Sequence, residues 1–254
     1  MHFYVYVYMY LLKIVTLIDR CIMNNIEEEL LLIAINNLKK VEEFDAYKNY
    51  GGNKENFKKL LKEDPAFCNL GLSNDTYVRS RVGGNFVTSL HRKIGDMYEN
   101  MFSHLLTKKF QIPSEDLHFN VIVEINGRQQ TRSTDGLILK KKFKEGFPKN
   151  WFNFEGAGFE LRSCYQIGDS KRIQADYDMA LELSKRNIKP IMLIFCNTSL
   201  KSPVKRLAKS WELYEGEDSF SLIKDITGVD LFDFMKRNEK IFSETLEEII
   251  SSTL

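Results

Sequence analysis

The segment PIMLIFC, residues 190–196, is the sequence feature that most limits the fold. A run without polar alternation is typical of a strand that is buried on both faces of a sheet. Such a sheet needs a layer on each side, and the order of elements supplies it: helix, hairpin, strand, helix, strand, then smaller helices. The sequence therefore predicts an α/β (α+β) protein, with a short mixed β-sheet flanked by helices.

A long helix precedes the predicted sheet. Apolar residues recur at alternating steps of three and four from Thr88 to Lys109, and therefore lie on one helical face. Glu99 lies at the edge of this face, and taken alone it is typical of a solvated glutamate. Gly-Gly-Asn segments at residues 51 and 83 predict turns.

Strands and a second helix follow. HFNVIVEI alternates like a strand, and Asn126-Gly127 is a strong hairpin signal. QTRSTDGLIL is predicted as the returning strand and GAGFELRSCY as a third strand. The next helix, residues 170–187, is predicted to bury a stripe formed by Ile173, Tyr177, Ala180 and Leu181.

The N-terminal 22 residues differ from the rest of the chain. HFYVYVYMYLLKIVTLI is apolar and aromatic, is short for a membrane span and lacks the features of a signal peptide. We expect translation to start at Met23, with residues 1–22 as a non-native or disordered extension; a hydrophobic anchor is the alternative. Residues 23–254 are then one domain, with a helical layer (23–80), a core (81–200) and a helical C-terminal part (201–254).

Two carboxylates are expected to meet on adjacent strands. Asp135 shares a strand face with Leu137 and Leu139, while Glu160 and Arg162 share a face of the next strand. Carboxylates brought together repel each other unless a cation lies between them, and oxygen ligands with open water positions suit Mg²⁺. The alternative is a pair of unrelated, solvated charges at strand ends.

The start of the following helix is basic. Lys171 and Arg172 fall in the first turn, where the helix dipole disfavours cations. A bound phosphate would account for them, because helix N-termini favour anions. Exposed side chains in contact with solvent alone account for them equally well.

Taken together, these segments resemble the PD-(D/E)xK nuclease superfamily. More narrowly, GGNFVTSLHRKIGDMYENMF, TDGLI and FELRSCYQIGDSKRIQADYDMAL are similar to type II restriction endonucleases of the ApaLI kind. The resemblance covers residues 80–196, about half of the chain. It implies a restriction-endonuclease-like core.

The resemblance also implies roles for single residues. Asp135 and Glu160 match the metal-binding carboxylates, with the carbonyl of Leu161 and the helical Glu99 as further ligands. Gln174 and Tyr177 resemble the Gln and Tyr that related nucleases place on the helix after the motif strand. The predicted catalytic residues are therefore Asp135, Glu160, Arg162, Glu99, Gln174 and Lys171.

Arg162 departs from the family, which usually has lysine at this position. Arginine stays protonated at any working pH and cannot act as a base, but it can hold the attacking water and neutralise charge on the phosphate. Metal-bound water has a lowered pKa, so the ion itself could generate the nucleophile. Lys171 could instead reach back into the site.

The expected function is that of a Mg²⁺-dependent type II restriction endonuclease in the cytoplasm. Water would attack double-stranded DNA at a palindrome such as GTGCAC, leaving 5′-phosphate ends. A palindrome implies a homodimer, and a restriction system implies a cognate DNA methyltransferase as a functional partner. Candidate base-reading residues are Arg79, Arg81, Arg128, Gln129 and Gln130.

Other functions remain open at this point. A structure-selective repair or recombination nuclease would keep the fold, and Arg162 would also suit an inactive DNA-binding protein on the same fold. A membrane-associated protein has the least support. The four scattered cysteines form no CxxC pair, so we expect reduced thiols, and nothing suggests an organic cofactor.

Overall fold

A computed structural model of the chain describes residues 25–125, 128–166 and 170–253. The predicted extension, residues 1–22, lies outside this part. The helices are α1 (residues 25–39), α2 (Lys54–Glu63), α3 (Pro65–Asn69), α4 (Asp75–Phe110), α5 (Ser170–Lys185), α6 (Lys201–Leu207), α7 (Glu217–Thr227), α8 (Leu231–Arg237) and α9 (Glu239–Thr253). The strands are β1 (Asn120–Ile125), β2 (Arg128–Ser133), β3 (Gly136–Leu139), β4 (Gly156–Arg162), β5 (Ile188–Ile194) and β6 (Glu212–Glu215). Short 3₁₀ helices span Lys40–Glu43, Ser114–Asp116, Lys140–Lys142 and Lys149–Asn153.

The strands form two small sheets, so the coarse expectation of a mixed α/β protein is confirmed. β1 and β2 pair antiparallel, in a register that ends at Ile125 opposite Arg128, and the turn predicted at Asn126-Gly127 lies outside the described residues. The second sheet has the order β3-β4-β5-β6, with β3 antiparallel to β4 and the other pairs parallel. This sheet is mixed, as predicted.

Two hydrophobic cores cover the two faces of the four-stranded sheet. Ile191 and Leu193 face a core that is built with α1, α4 and the C-terminal helices. Met192 and Ile194, the alternate residues of β5, face a second core that is built with α5, α6 and β1. The prediction that PIMLIFC is buried on both faces is therefore confirmed.

Helix α4 corrects one prediction about turns. Asn74 caps its start by accepting a hydrogen bond from the Tyr77 amide at 2.9 Å, and the helix continues to Phe110. Gly83 and Gly84 lie inside this helix, so the turn predicted there is wrong. The other Gly-Gly pair does form a turn, in which both glycines have positive φ.

The predicted returning strand is also wrong as a single element. QTRSTDGLIL divides into β2 and β3, which belong to different sheets. At the break, the Thr134 amide donates to the Phe119 carbonyl at 3.2 Å, whereas the Asp135 amide donates to the Phe159 carbonyl at 2.9 Å. The chain thus changes pairing partner between two consecutive residues, and Asp135 reaches the edge of β4.

Helix α5 buries a different stripe from the predicted one. Ile173 and Ala180 are buried as expected, but Tyr177 and Leu181 are 41% and 42% exposed. Asp176 takes the buried position instead, with an exposure of 2%. In the described residues, no helix combines the length and apolar character that a membrane span requires.

Candidate active site

Asp135, Glu160 and Arg162 come together on one face of the four-stranded sheet. Gly136 lies opposite Phe159 in the antiparallel register, which places Asp135 opposite Glu160. Both side chains therefore leave the same face, towards α5, and so does Arg162 two residues further along β4. The juxtaposition of the two carboxylates that was predicted from strand alternation is present.

Arg162 is the centre of this group. Its Nη1 donates to the Asp135 carboxylate at 3.3 Å and to the Leu161 carbonyl at 2.7 Å. Its Nη2 donates to Glu160 Oε1 and, at 2.6 Å, to Asp176 Oδ1, while Nε donates to Asp176 Oδ2 at 3.4 Å. One guanidinium thus holds three carboxylates from β4, α5 and the residue before β3. We call Asp135, Glu160, Arg162 and Asp176 the arginine cluster.

Asp176 is the member of the arginine cluster that sequence reasoning missed. The Tyr165 hydroxyl donates to its carboxylate, and the indole N–H of Trp211 donates to its main-chain carbonyl at 3.0 Å. Burial raises the pKa of Tyr165 well above its usual range, so the phenol stays protonated as a donor. A signal was present in the sequence, because Asp176 lies three residues after Ile173 and four before Ala180, the spacing of a buried helical face.

The cluster contains more acidic groups than basic ones, three carboxyls beside one guanidinium. Burial raises the pKa of Glu160 well above its ordinary value, and it also raises the pKa of Asp135. The charge of Arg162 acts in the opposite direction on both carboxyls. Burial lowers the pKa of Arg162, but Glu160, Asp176 and Asp135 together raise it above its usual value, so the guanidinium stays charged. Glu160 Oε2 is buried and has no hydrogen-bond partner among the described residues. The cluster therefore has an acceptor that a further cation could satisfy.

Glu99 approaches the cluster from α4. Burial raises the pKa of Glu99 to about 7, with Asp135 as the next largest cause. Glu99, Ser103 and His118 line a polar cavity of about 570 Å³. Ser103 Oγ donates to the Asp135 carbonyl at 3.3 Å, so this cavity opens beside Asp135. Glu99 is thus a half-ionised carboxyl near neutral pH, at the side of the cluster.

Two of the predicted catalytic residues lie elsewhere. Gln174 is exposed, and its amide donates to Asp178 Oδ1 at 2.8 Å on the outer face of α5. Lys171 is exposed in the first turn of the same helix and forms no ion pair within the described residues. The structure therefore does not bring Gln174 or Lys171 to the arginine cluster, because both lie on the solvent side of α5 whereas Asp176 lies on the inner side.

The candidate base-reading residues lie on two elements, α4 and β2. Arg79 and Arg81 are exposed near the start of α4, and Gln129 and Gln130 are exposed on β2. Arg128 is the first residue of β2. None of the contacts that build the arginine cluster in the described part of the chain involves Arg79, Arg81, Gln129 or Gln130.

Comparison of the chain with protein-family models, with curated proteins and with solved structures returned no match.

Proposed function

We propose that the chain is a Mg²⁺-dependent endonuclease with a PD-(D/E)xK, restriction-endonuclease-like core, acting on double-stranded DNA. The observation that carries the proposal is the arginine cluster, in which buried carboxylates from adjacent strands meet beside Arg162. A structural ion pair would need one carboxylate for one guanidinium. Here Asp135, Glu160 and Asp176 surround Arg162, and one oxygen of Glu160 has no partner in the described chain.

The residues present suit Mg²⁺ in their chemistry. The ion prefers hard oxygen ligands, and the oxygens that would hold it are those of Asp135, Glu160, Glu99 and the Leu161 carbonyl. In the present arrangement Arg162 lies among the carboxylates, and no group of three His, Cys, Asp or Glu in the described residues is arranged to hold a metal. When bound, Mg²⁺ would supply positive charge to the scissile phosphate and lower the pKa of water.

The side chains of the site would act on the attacking water and on the phosphate. Arg162 stays protonated, so it would orient the attacking water and offset the charge that develops on the phosphate. It cannot take the proton of that water. The proton of that water would pass to solvent, since Glu99 would hold the ion and would not act as a base. The products would be a 5′-phosphate and a 3′-hydroxyl.

Within this class we propose a type II restriction endonuclease. The support is the resemblance of residues 80–196, and it would imply a palindromic site such as GTGCAC, a homodimer and a cognate methyltransferase. A two-fold dimer would let each subunit read one half-site and cut one strand.

Cleavage of unmethylated DNA tests the proposal directly. The full chain is incubated with DNA with and without Mg²⁺, and discrete fragments are expected only with Mg²⁺. Glu160→Ala should abolish cutting, because it removes the buried carboxylate beside Arg162. Glu182→Ala is the matched control, since Glu182 pairs with Lys185 and Arg186 at the far end of α5 and should leave cutting unchanged.

Other outcomes of that experiment have clear meanings. A smear, or cutting of branched DNA alone, would favour a structure-selective repair nuclease on the same fold. Cutting that survives in Glu160→Ala would remove the arginine cluster from the mechanism.

A second candidate is a DNA-binding protein without nuclease activity on this fold. The observation in its favour is the position of Arg162, which contacts all three carboxylates and would compete with a cation for their oxygens. It predicts DNA binding without cleavage, and equal binding by the wild type and Asp135→Ala.

A further inference from the structure

A group of basic residues on and after α6 has no acidic partner in the part of the chain that the structure describes. Residues 196–211 contain no Asp or Glu, but they contain Lys201, Lys205, Arg206 and Lys209. All four side chains are exposed, and none forms an ion pair with any residue in the described ranges. The basic residues at the end of α5 differ, because Lys185 and Arg186 both pair with Glu182.

A groove between α5 and α6 collects part of this charge. It has a volume of about 380 Å³. Its polar lining consists of Gln174, Tyr177, Arg206, Lys209 and Ser210, with Ile173 and Leu207 as the apolar lining. Among the described residues, no acidic side chain lines the groove. We call this surface the α5–α6 groove.

The two faces of α5 have different surroundings. Its inner face carries Asp176, which holds Arg162 in the arginine cluster. Its outer face carries Gln174 and the 41% exposed Tyr177, which border the α5–α6 groove. The groove therefore lies on the outer side of the same helix that supports the cluster from within.

We infer that the α5–α6 groove is a docking surface for the sugar-phosphate backbone of a DNA duplex. The inference rests on the proposed function, since it assigns part of the nuclease's grip on DNA to residues outside the arginine cluster. A duplex is a linear polyanion, and unpaired Lys and Arg side chains bind it by releasing its condensed counterions. Gln174, Tyr177 and Ser210 are groups that donate hydrogen bonds to phosphate oxygens. Contacts of this kind position the duplex and carry no sequence information.

The inference gives Gln174 a different role from the one that the resemblance implied. Gln174 lies on the outer side of α5 and lines the α5–α6 groove, where it contributes to holding DNA and not to the bond-breaking step. Lys171, on the same side of α5, is not among the residues that line the groove.

Salt-dependent binding of a short duplex to the full chain, in EDTA so that no cutting occurs, tests the inference. Arg206→Gln/Lys209→Gln is compared with Lys140→Gln/Lys141→Gln. The second pair removes the same charge from an exposed basic run beside β3, which forms no ion pair in the described chain. Each lost phosphate contact lowers the slope of log affinity against log salt by about 0.9. The groove variant should therefore bind more weakly than the wild type, with a slope whose magnitude is smaller by about 2, so that the wild type loses roughly 10-fold more affinity than the variant between about 50 and 200 mM salt. The control should match the wild type.

The outcomes separate this inference from the proposed function. Equal losses in the two double variants, or no binding of DNA by the wild type, would overturn the inference. If the wild type binds DNA but never cuts it, and only the groove variant loses binding, the result would support the groove and overturn the nuclease. If the wild type cuts, the groove variant should keep the wild-type rate at saturating DNA and show a higher KM, whereas a lower rate at saturation would place these residues in the chemistry and contradict a backbone-docking role.

Discussion

Asp176 explains how an arginine can occupy the position beside Glu160. A guanidinium has five N–H donors in a rigid plane, whereas lysine has one ammonium group on a flexible stem. Asp176 accepts from Nε and Nη2, which leaves Nη1 and the other donor of Nη2 for Asp135, the Leu161 carbonyl and Glu160. Tyr165 holds Asp176 in turn. The carboxylate on α5 thus fixes the direction in which Arg162 presents its charge.

This arrangement predicts strong coupling between Arg162 and Asp176. Asp176→Asn should destabilise the wild type, because Arg162 loses its anchor. In the Arg162→Lys background, Asp176→Asn should lower the free energy of unfolding only slightly or raise it. Lysine has fewer donors than arginine, so Asp176 is already a poorly paired buried carboxylate in that background. Urea unfolding of the four proteins should give a coupling free energy of about 2–3 kcal/mol.

Glu182 and Arg186 provide the control pair on the same helix. Their ion pair is partly exposed, so Glu182→Gln and Arg186→Lys should couple by less than about 1 kcal/mol. Additive effects at Arg162 and Asp176 would show that Asp176 does not act through the arginine.

Strand periodicity predicted three of the four residues of the arginine cluster, and helix periodicity failed for the fourth, Asp176. Asp135, Glu160 and Arg162 could be placed on one face because side chains alternate strictly along a strand. On α5 the stripe through Tyr177 and the stripe through Asp176 differ by one residue, a rotation of about 100°. Tyr177 is the more apolar residue, so hydrophobic patterning selects it. Only the counter-charge of Arg162, a contact between elements, makes Asp176 the buried one.

The division of QTRSTDGLIL into two strands has a similar cause. Its alternation continues through the break, so the sequence does not mark where pairing changes from β1 to β4. The break depends on Thr134, which is buried and whose hydroxyl accepts from the Phe119 amide at 3.0 Å. The short strand β6 was also not predicted. It pairs with β5 over four residues, and Lys189 anchors it through Glu212 at 2.9 Å.

The glycines of helices and strands give a prediction at this level. Gly84 lies inside α4, where an added Cβ would meet nothing within 4 Å. Gly156 begins β4, where an added Cβ would lie 2.9 Å from the Ile138 carbonyl oxygen and 3.4 Å from the Leu139 Cα. Gly84→Ala should raise the free energy of unfolding by about 0.5–1 kcal/mol, because alanine loses less backbone entropy in a helix. Gly156→Ala should lower it by about 1–3 kcal/mol, because backbone atoms cannot move aside easily.

Chemical denaturation of the two variants beside the wild type checks both signs, and each serves as the other's control for the same chemical change. A loss of stability in Gly84→Ala would mean that Gly83 and Gly84 form the turn that the sequence suggests. A neutral Gly156→Ala would contradict the close approach of β3 and β4.

Across the whole molecule, charge is nearly balanced but unevenly placed. The formal net charge is +1. Three carboxyl groups surround the guanidinium of Arg162, while the charged residues that line the α5–α6 groove, Arg206 and Lys209, are both cations. A pKa that is raised in the folded state contributes stability at low pH that is lost as pH rises through it. Glu99, whose pKa rises from 4.5 to about 7, should therefore reduce the free energy of unfolding by roughly 2–3 kcal/mol between those pH values. The raised pKa values of Asp135 and Glu160 act in the same direction.

A divalent cation at the cluster should offset this loss, and its effect should depend on pH. At about pH 8 the ionised form of Glu99 dominates, so a cation at the cluster has a charged ligand to bind. Mg²⁺ at about 100 times its Kd should then raise Tm by about 5 °C. At about pH 5.5 Glu99 is largely protonated, and the rise in Tm should be much smaller. Differential scanning calorimetry at both pH values measures the difference. Glu160→Gln should be less sensitive to pH without Mg²⁺ and should lose most of the Mg²⁺ effect. An equal rise in Tm at both pH values, or one that Glu160→Gln retains, would mean that Mg²⁺ binds elsewhere and that Arg162 alone balances the charge of its carboxylates.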